Sequence, residues 1–221
     1  MQPTRPAAPN RRTSRLPRSA RRLQLLRAAQ DVFVAQGFHA AAMDDIADRA
    51  GVSKPVLYQH FPGKRELYLA LLEEHVSELA DRVGEAMGGT ADNHARVDAA
   101  VGAYFDFIDA DGEAFRLVFE SDLRNDADVR AIVDRGSRVS VEAIAEIIAA
   151  DTGADRERAL LLASGLAGLA EISARWWLPR KGTVSRDEAV ALMSALAWRG
   201  ISGFPRIDEG PSGGSARAGE G

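Results

Sequence analysis

The chain has 221 residues, 46% of them apolar, and a net charge of −4, which suits one sizeable domain or two small ones. With no cysteine it has no disulfides, thiol catalysis or cysteine-based metal sites. No run of about 18 apolar residues exists to span a bilayer, so no membrane partner is expected.

The charge is polarised. Residues 1–64 carry 11 Lys and Arg against 4 Asp and Glu, and the remainder carries 17 against 28. The first 27 residues hold eight arginines, among them Arg21 and Arg22, and no acid. Such a run is either a solvated tail or an arm for a polyanion. Prolines at Pro3, Pro6, Pro9 and Pro17 oppose the amphipathic helix of an organelle-targeting peptide, and no apolar core of a secretory signal is present. A cytoplasmic location is therefore expected.

Residues 1–18 read as a flexible basic arm. A first helix is predicted over 20–36, with Leu23, Leu26, Val32 and Phe33 inward and Gly37 as its stop. A second covers 43–50 and ends at Gly51, where a tight turn needs a positive φ. The third covers 54–60, with Ser53 as N-cap and Pro55 in the first turn, where a missing N–H costs little. A long fourth helix, 64–87, carries Leu67, Leu71, Leu79, Val83 and Met87 in a stripe that His75 interrupts. The fifth, 93–109, faces Val97, Val101, Tyr104, Phe105 and Ile108 inward. Helices over 113–119, 127–150 and 155–178 follow, the last stopped by Pro179. The ninth opens on the capping box Ser185-Arg186-Asp187-Glu188 and runs to Trp198. The tail 208–221 is too polar and Gly-rich to pack. The fold class is all-α, about nine helices.

The second and third helices, joined at Gly51, form a helix-turn-helix, whose second helix enters the DNA major groove. At about 100° per residue, Leu57 and Phe61 define its buried side. Gln59, Pro55 and Val56 point away from that side, Tyr58 lies on the flank, and Lys54 and His60 sit at the edges. Gln59 suits adenine, Val56 a thymine methyl, and Lys54 guanine or phosphate. Tyr58, His60 and Lys64 suit phosphates. A surface helix of mixed polar residues would look similar, but the adjacent basic run favours DNA.

The stretch "MDDIADRAGVSKPVLYQHFPGKRELYLALL" resembles the signature of the TetR family of bacterial transcriptional regulators, and the helix order fits. The resemblance implies a three-helix DNA-binding domain (residues 19–65, with Ser53, Lys54, Pro55, Val56, Tyr58, Gln59, His60, Lys64, Arg21 and Arg22 at the DNA). It also implies a helical ligand-binding and dimerisation domain (66–207) and a homodimer formed through the last two helices. Two positions depart from the family pattern. Ala41 and Ala42 stand where a Thr or Ser starts the second helix, and Gly63 stands before the lysine of the fourth. The segments "YFDFIDADGEAFRLVFESD" and "ARWWL" are similar to actinobacterial members that regulate fatty-acid synthesis. That likeness implies activation of fatty-acid synthase genes and release from operator DNA by long-chain acyl-CoA. A repressor of a transport or catabolic gene answering another hydrophobic small molecule is the alternative.

For the ligand-binding half the candidates are Leu79, Val83, Met87, Tyr104, Phe105 and Ile108, with Phe115, Phe119 and Trp176 beside them. Each also reads as ordinary core. Small residues at Ala163, Ser164, Gly165, Ala167 and Gly168 suit close helix packing, either across a dimer or within one subunit. His39, His60, His75 and His94 lack metal-ligand spacing, and no phosphate loop or nucleophile elbow appears. No catalytic residue, cofactor or metal is expected.

Overall fold

The computed structural model describes residues 16–110, 112, 123 and 125–200, and every element among them is helical. Eight α-helices are present: α1 (Arg18–Ala40), α2 (Met43–Ala50), α3 (Lys54–His60), α4 (Lys64–Gly88), α5 (Asn93–Ala110), α6 (Ala127–Thr152), α7 (Arg156–Trp177) and α8 (Arg186–Arg199), with a 3-10 turn at Leu178–Arg180. The predicted helix over 113–119, the arm before residue 16 and the tail lie outside the described residues. The chain divides into two compact units. One runs up to His75 and takes in a later segment ending at Ile132; the other begins at Val76 and holds the rest.

In the first unit α1 buries Leu25, Leu26, Ala28, Ala29, Val32 and Phe33. Leu23, expected inward, is 43% exposed. It lies about 200° of helical turn from Leu25 and so faces the other side. Gly37 does not end the helix. It kinks it (φ 75°, ψ 163°), and the last turn continues to Ala40. Beyond the kink Phe38 joins Phe33 and Tyr68 in a ring cluster with centroids 5.1–5.9 Å apart. This aromatic wedge fixes the start of α4 against α1, with Leu67, Leu71 and Leu72 buried around it. α2 begins at Ala42 without a side-chain cap, as the missing hydroxyl dictates, and Asp44 and Asp45 in its first turn complement the helix dipole instead.

The second unit holds the rest of α4 with α5, α7, α8 and most of α6. α6 and α7 meet through Ala145, Ala159 and Ala163, flanked by Val141, Ile144 and Ile148. α7 starts at Asp155, whose carboxylate accepts the Arg158 N–H at 3.0 Å. α8 starts at Ser185, whose hydroxyl accepts the Glu188 N–H at 3.2 Å. Trp177 closes α7 by donating its indole N–H to the Val184 carbonyl at 2.8 Å, with its ring 5.3 Å from Phe105. Among the described residues no helix is long and apolar enough to cross a membrane.

Candidate nucleic-acid interface

The turn that delivers α3 is built from backbone alone. Gly51 adopts the left-handed conformation (φ 64°, ψ 36°), which a side chain would strain. Its amide reaches the Asp48 carbonyl at 3.0 Å, and the Val52 amide reaches that of Ala47 at 3.0 Å. These bonds satisfy two of the carbonyls that α2 leaves open at its end. α3 then buries Leu57 on its inner side, and Phe61 follows it. With those two fixed, Lys54, Pro55, Tyr58 and Gln59 are exposed, and Val56 and His60 are half-buried. Tyr58 is 47% exposed, although large and aromatic.

Three expected contacts are modified by the fold. Ser53 stands at the N-cap with extended backbone, but its hydroxyl makes no capping bond; its carbonyl receives the Val56 and Leu57 amides at 2.9 and 3.2 Å. Lys54 is paired with Asp44 of α2 at 2.5 Å, and that bond raises its pKa. Lys64, expected at phosphate, is turned inward. Its ammonium donates to the carbonyls of His39 (3.0 Å) and Ala41 (2.8 Å) and lies over the Phe38 ring at 4.7 Å. The kinked end of α1 leaves those carbonyls open, and the lysine satisfies them.

The basic edge is formed by the first turn of α1 beside the end of α3. The Arg22 guanidinium stacks on Phe61 at 4.8 Å. Burial, then Arg18, Arg22 and Arg21, lower the pKa of His60. Arg21 donates to Gln24 at 2.7 Å. Reading the sequence missed Arg18 and Gln24 as members of this edge. The acid-free run was a signal for Arg18, but no local pattern singles out Gln24.

In the second unit Val83, Met87, Phe105 and Ile108 are buried, and Leu79 and Tyr104 are half-buried. Burial, reinforced by the Glu171 carboxylate, pushes the Tyr104 phenol well above its usual range, so it stays neutral. Trp176 is not part of that interior. It is 57% exposed and carries the Arg180 guanidinium on its ring at 4.4 Å. Trp177, a further 100° or so around α7, takes the inward place. Phe115 and Phe119 fall outside the described residues. No three His, Cys, Asp or Glu side chains gather for a metal among the described residues.

α7 also presents an outward stripe. Leu161, Ile172 and Trp176 are exposed, and a side chain at Gly165 or Gly168 would meet nothing within 4 Å. The spacing of these five residues places them on one helical face. Ala163, by contrast, is buried against Ala145 and Ala159 within the chain. The small residues thus serve two different faces.

Comparison with known proteins agrees with this layout. Residues 25–71 match the model of bacterial regulatory proteins of the tetR family, and residues 94–200 match that of a tetracyclin repressor-like C-terminal domain. The chain is 48% identical over 201 residues to the HTH-type transcriptional activator FasR of Mycolicibacterium smegmatis, covering 91% of this chain and 92% of that one. Among solved structures, a TetR-like transcriptional regulator from Rhodococcus sp. RHA1 is similar (29% identity, TM-score 0.66), covering 86% of this chain and all of that one. FadR from Bacillus subtilis, solved with stearoyl-CoA, shares the fold at 19% identity and TM-score 0.66, over 81% of this chain and 98% of that one. A helix-turn-helix aimed by Gly51, a helical second unit and these matches together place the chain in the TetR family of bacterial transcriptional regulators.

Proposed function

We propose that this regulator acts as a homodimer on a pseudo-palindromic operator and activates fatty-acid synthase genes until long-chain acyl-CoA releases it from the DNA. The observation that carries the DNA-facing part is the exposure of Lys54, Pro55, Tyr58 and Gln59 on one side of α3, beside the Arg18–Arg21–Arg22 edge. Side chains of these types suit the major groove and its phosphates. The Ser53 hydroxyl, unused as a cap, adds a phosphate donor at the start of α3. Two reading helices of a dimer fall about 34 Å apart, or a multiple of it, on successive turns of DNA.

The identity to FasR over nearly the whole chain supports the fatty-acid role. Val83, Met87, Phe105 and Ile108 supply apolar surface for an acyl chain, and Tyr104 supplies a polar contact. The outward stripe of α7 supports the dimer: exposed Leu161 and Ile172 flank two glycines, Gly165 and Gly168, open to a partner helix. The ligand shifts DNA affinity only by binding the two conformations differently. A regulator of this kind works where the chromosome is, in the cytoplasm, and needs no catalytic group.

The test is displacement of the chain from a duplex enriched from a random pool. Palmitoyl- or oleoyl-CoA is expected to release it at micromolar concentration, and a short-chain acyl-CoA is not. No release by either long chain refutes the effector assignment and favours another hydrophobic ligand. Tyr58→Ala is expected to weaken binding of the same duplex with fold and dimer intact. Unchanged binding refutes the assignment of α3.

A further inference from the structure

We infer that Gln24 is a positioning residue for DNA binding: it suspends the Arg21 guanidinium from the Ala50 carbonyl, so that one turn aims both α3 and a phosphate-binding arginine. This rests on the DNA-facing reading of α3.

Arg21 donates to the Gln24 side-chain oxygen at 2.7 Å, and the Gln24 side-chain nitrogen donates to the Ala50 carbonyl at 2.8 Å. The chemistry fixes the direction of this relay. A guanidinium has no acceptor and a carbonyl has no donor, so a side chain joining them must offer both, and a primary amide does. Its orientation follows, with oxygen to Arg21 and nitrogen to Ala50. Ala50 is the last residue of α2, and its carbonyl is one of those a helix end leaves without an intrahelical partner. The Gly51 and Val52 amides turn back to Asp48 and Ala47, and Gln24 of α1 takes Ala50. The bond spans 26 residues and ties the first turns of α1 directly to the turn of the helix-turn-helix.

Gln24 holds this cation without supplying a counter-charge. Lys54 and Arg49 are paired with Asp44 and Asp31, at 2.5 and 2.6 Å. Arg21 instead bonds a neutral amide, so its positive charge is not cancelled at that contact. It belongs to the edge where Arg22 covers Phe61 and His60 feels all three arginines. A free arginine side chain loses rotamer entropy when it is ordered. A bond already made in the free protein removes part of that cost from DNA binding.

The test compares full-length wild type, Arg21→Ala, Gln24→Leu, Gln24→Glu and the Arg21→Ala/Gln24→Leu double variant. Affinity for the enriched duplex is measured between 50 and 200 mM salt, with melting temperature recorded for each. Arg21→Ala is expected to flatten the salt slope by about 1.8, for one phosphate contact in each of two protomers. Gln24→Leu is expected to lose most of the same affinity, and the double variant is expected to bind no worse than Arg21→Ala. Gln24→Glu keeps an acceptor for Arg21 but neutralises it and removes the donor to Ala50, so it is expected to weaken binding as well. A purely structural role would lower the melting temperature and add to the Arg21→Ala loss, and that additivity overturns the inference. So does an unchanged salt slope in Gln24→Leu. If Arg21→Ala binds normally while Tyr58→Ala does not, the inference fails and the α3 reading stands. If both bind normally, both fail.

Discussion

His60 sits at the end of α3 with Arg18, Arg21 and Arg22 around it, and burial and these charges lower its pKa. The folded chain therefore takes up this proton less readily than the unfolded chain. The sign follows: His60 costs no stability above the unfolded value of about 6.5, and its contribution falls as pH drops below it. A phosphate at this edge reverses the local potential and raises the pKa. DNA binding is then expected to take up a proton in each protomer, and the affinity of the dimer to rise by at most about a hundredfold per unit as pH falls from 7.5 to 5.5. His60→Gln is expected to flatten that profile, and titrations by fluorescence anisotropy across this range decide it. The sequence alone identified His60 as an edge residue of α3. The three arginines that tune it come from α1, more than thirty residues earlier, and meet it only through packing.

At the scale of elements, α2 and α3 were legible because the turn that joins them carries local causes. Gly51 takes the left-handed turn, Ser53 the N-cap position, and Pro55 the first turn. The end of α1 was not legible, since Gly37 is equally suited to a stop and to a kink. The packing of Phe38 on Phe33 and Tyr68, with Lys64 on the open carbonyls, decided for the kink. The α4–α6 contact offers a sharper test. A Cβ at Gly136 would collide with a Val76 methyl. Alanine favours a helix over glycine by about 1 kcal/mol. The overlap with a branched side chain costs about 1–3 kcal/mol and outweighs that gain. Gly136→Ala is expected to lower stability in urea titrations, and Val76→Ala in the same chain is expected to recover part of the loss.

For the whole molecule the outward face of α7 carries the prediction. Ile172 is 67% exposed in the single chain, between Gly168 and Trp176. An unpaired charge at the centre of a buried interface costs several kcal/mol. Ile172→Arg is expected to yield monomers in sedimentation at micromolar concentration, with α-helix content unchanged. Because each monomer reads only one half-site, operator affinity is expected to fall by about a hundredfold. A variant that stays dimeric would move the interface elsewhere.

The sequence by itself determined the existence of the eight described helices, the turn at Gly51 and the side of α3 that faces outward. These follow from local conformational preference and from the angular spacing of Leu57 and Phe61. It also marked the chain's basic beginning and the small residues of α7. Only the tertiary structure decided which charges are already paired. Lys54 is paired with Asp44, Lys64 with the end of α1, and Arg21 with the neutral amide of Gln24. It likewise separated Trp177, buried on Phe105, from exposed Trp176. The physical reason is the same in each case. A side chain's partners come from elements distant in the sequence, and periodicity along one helix does not contain them.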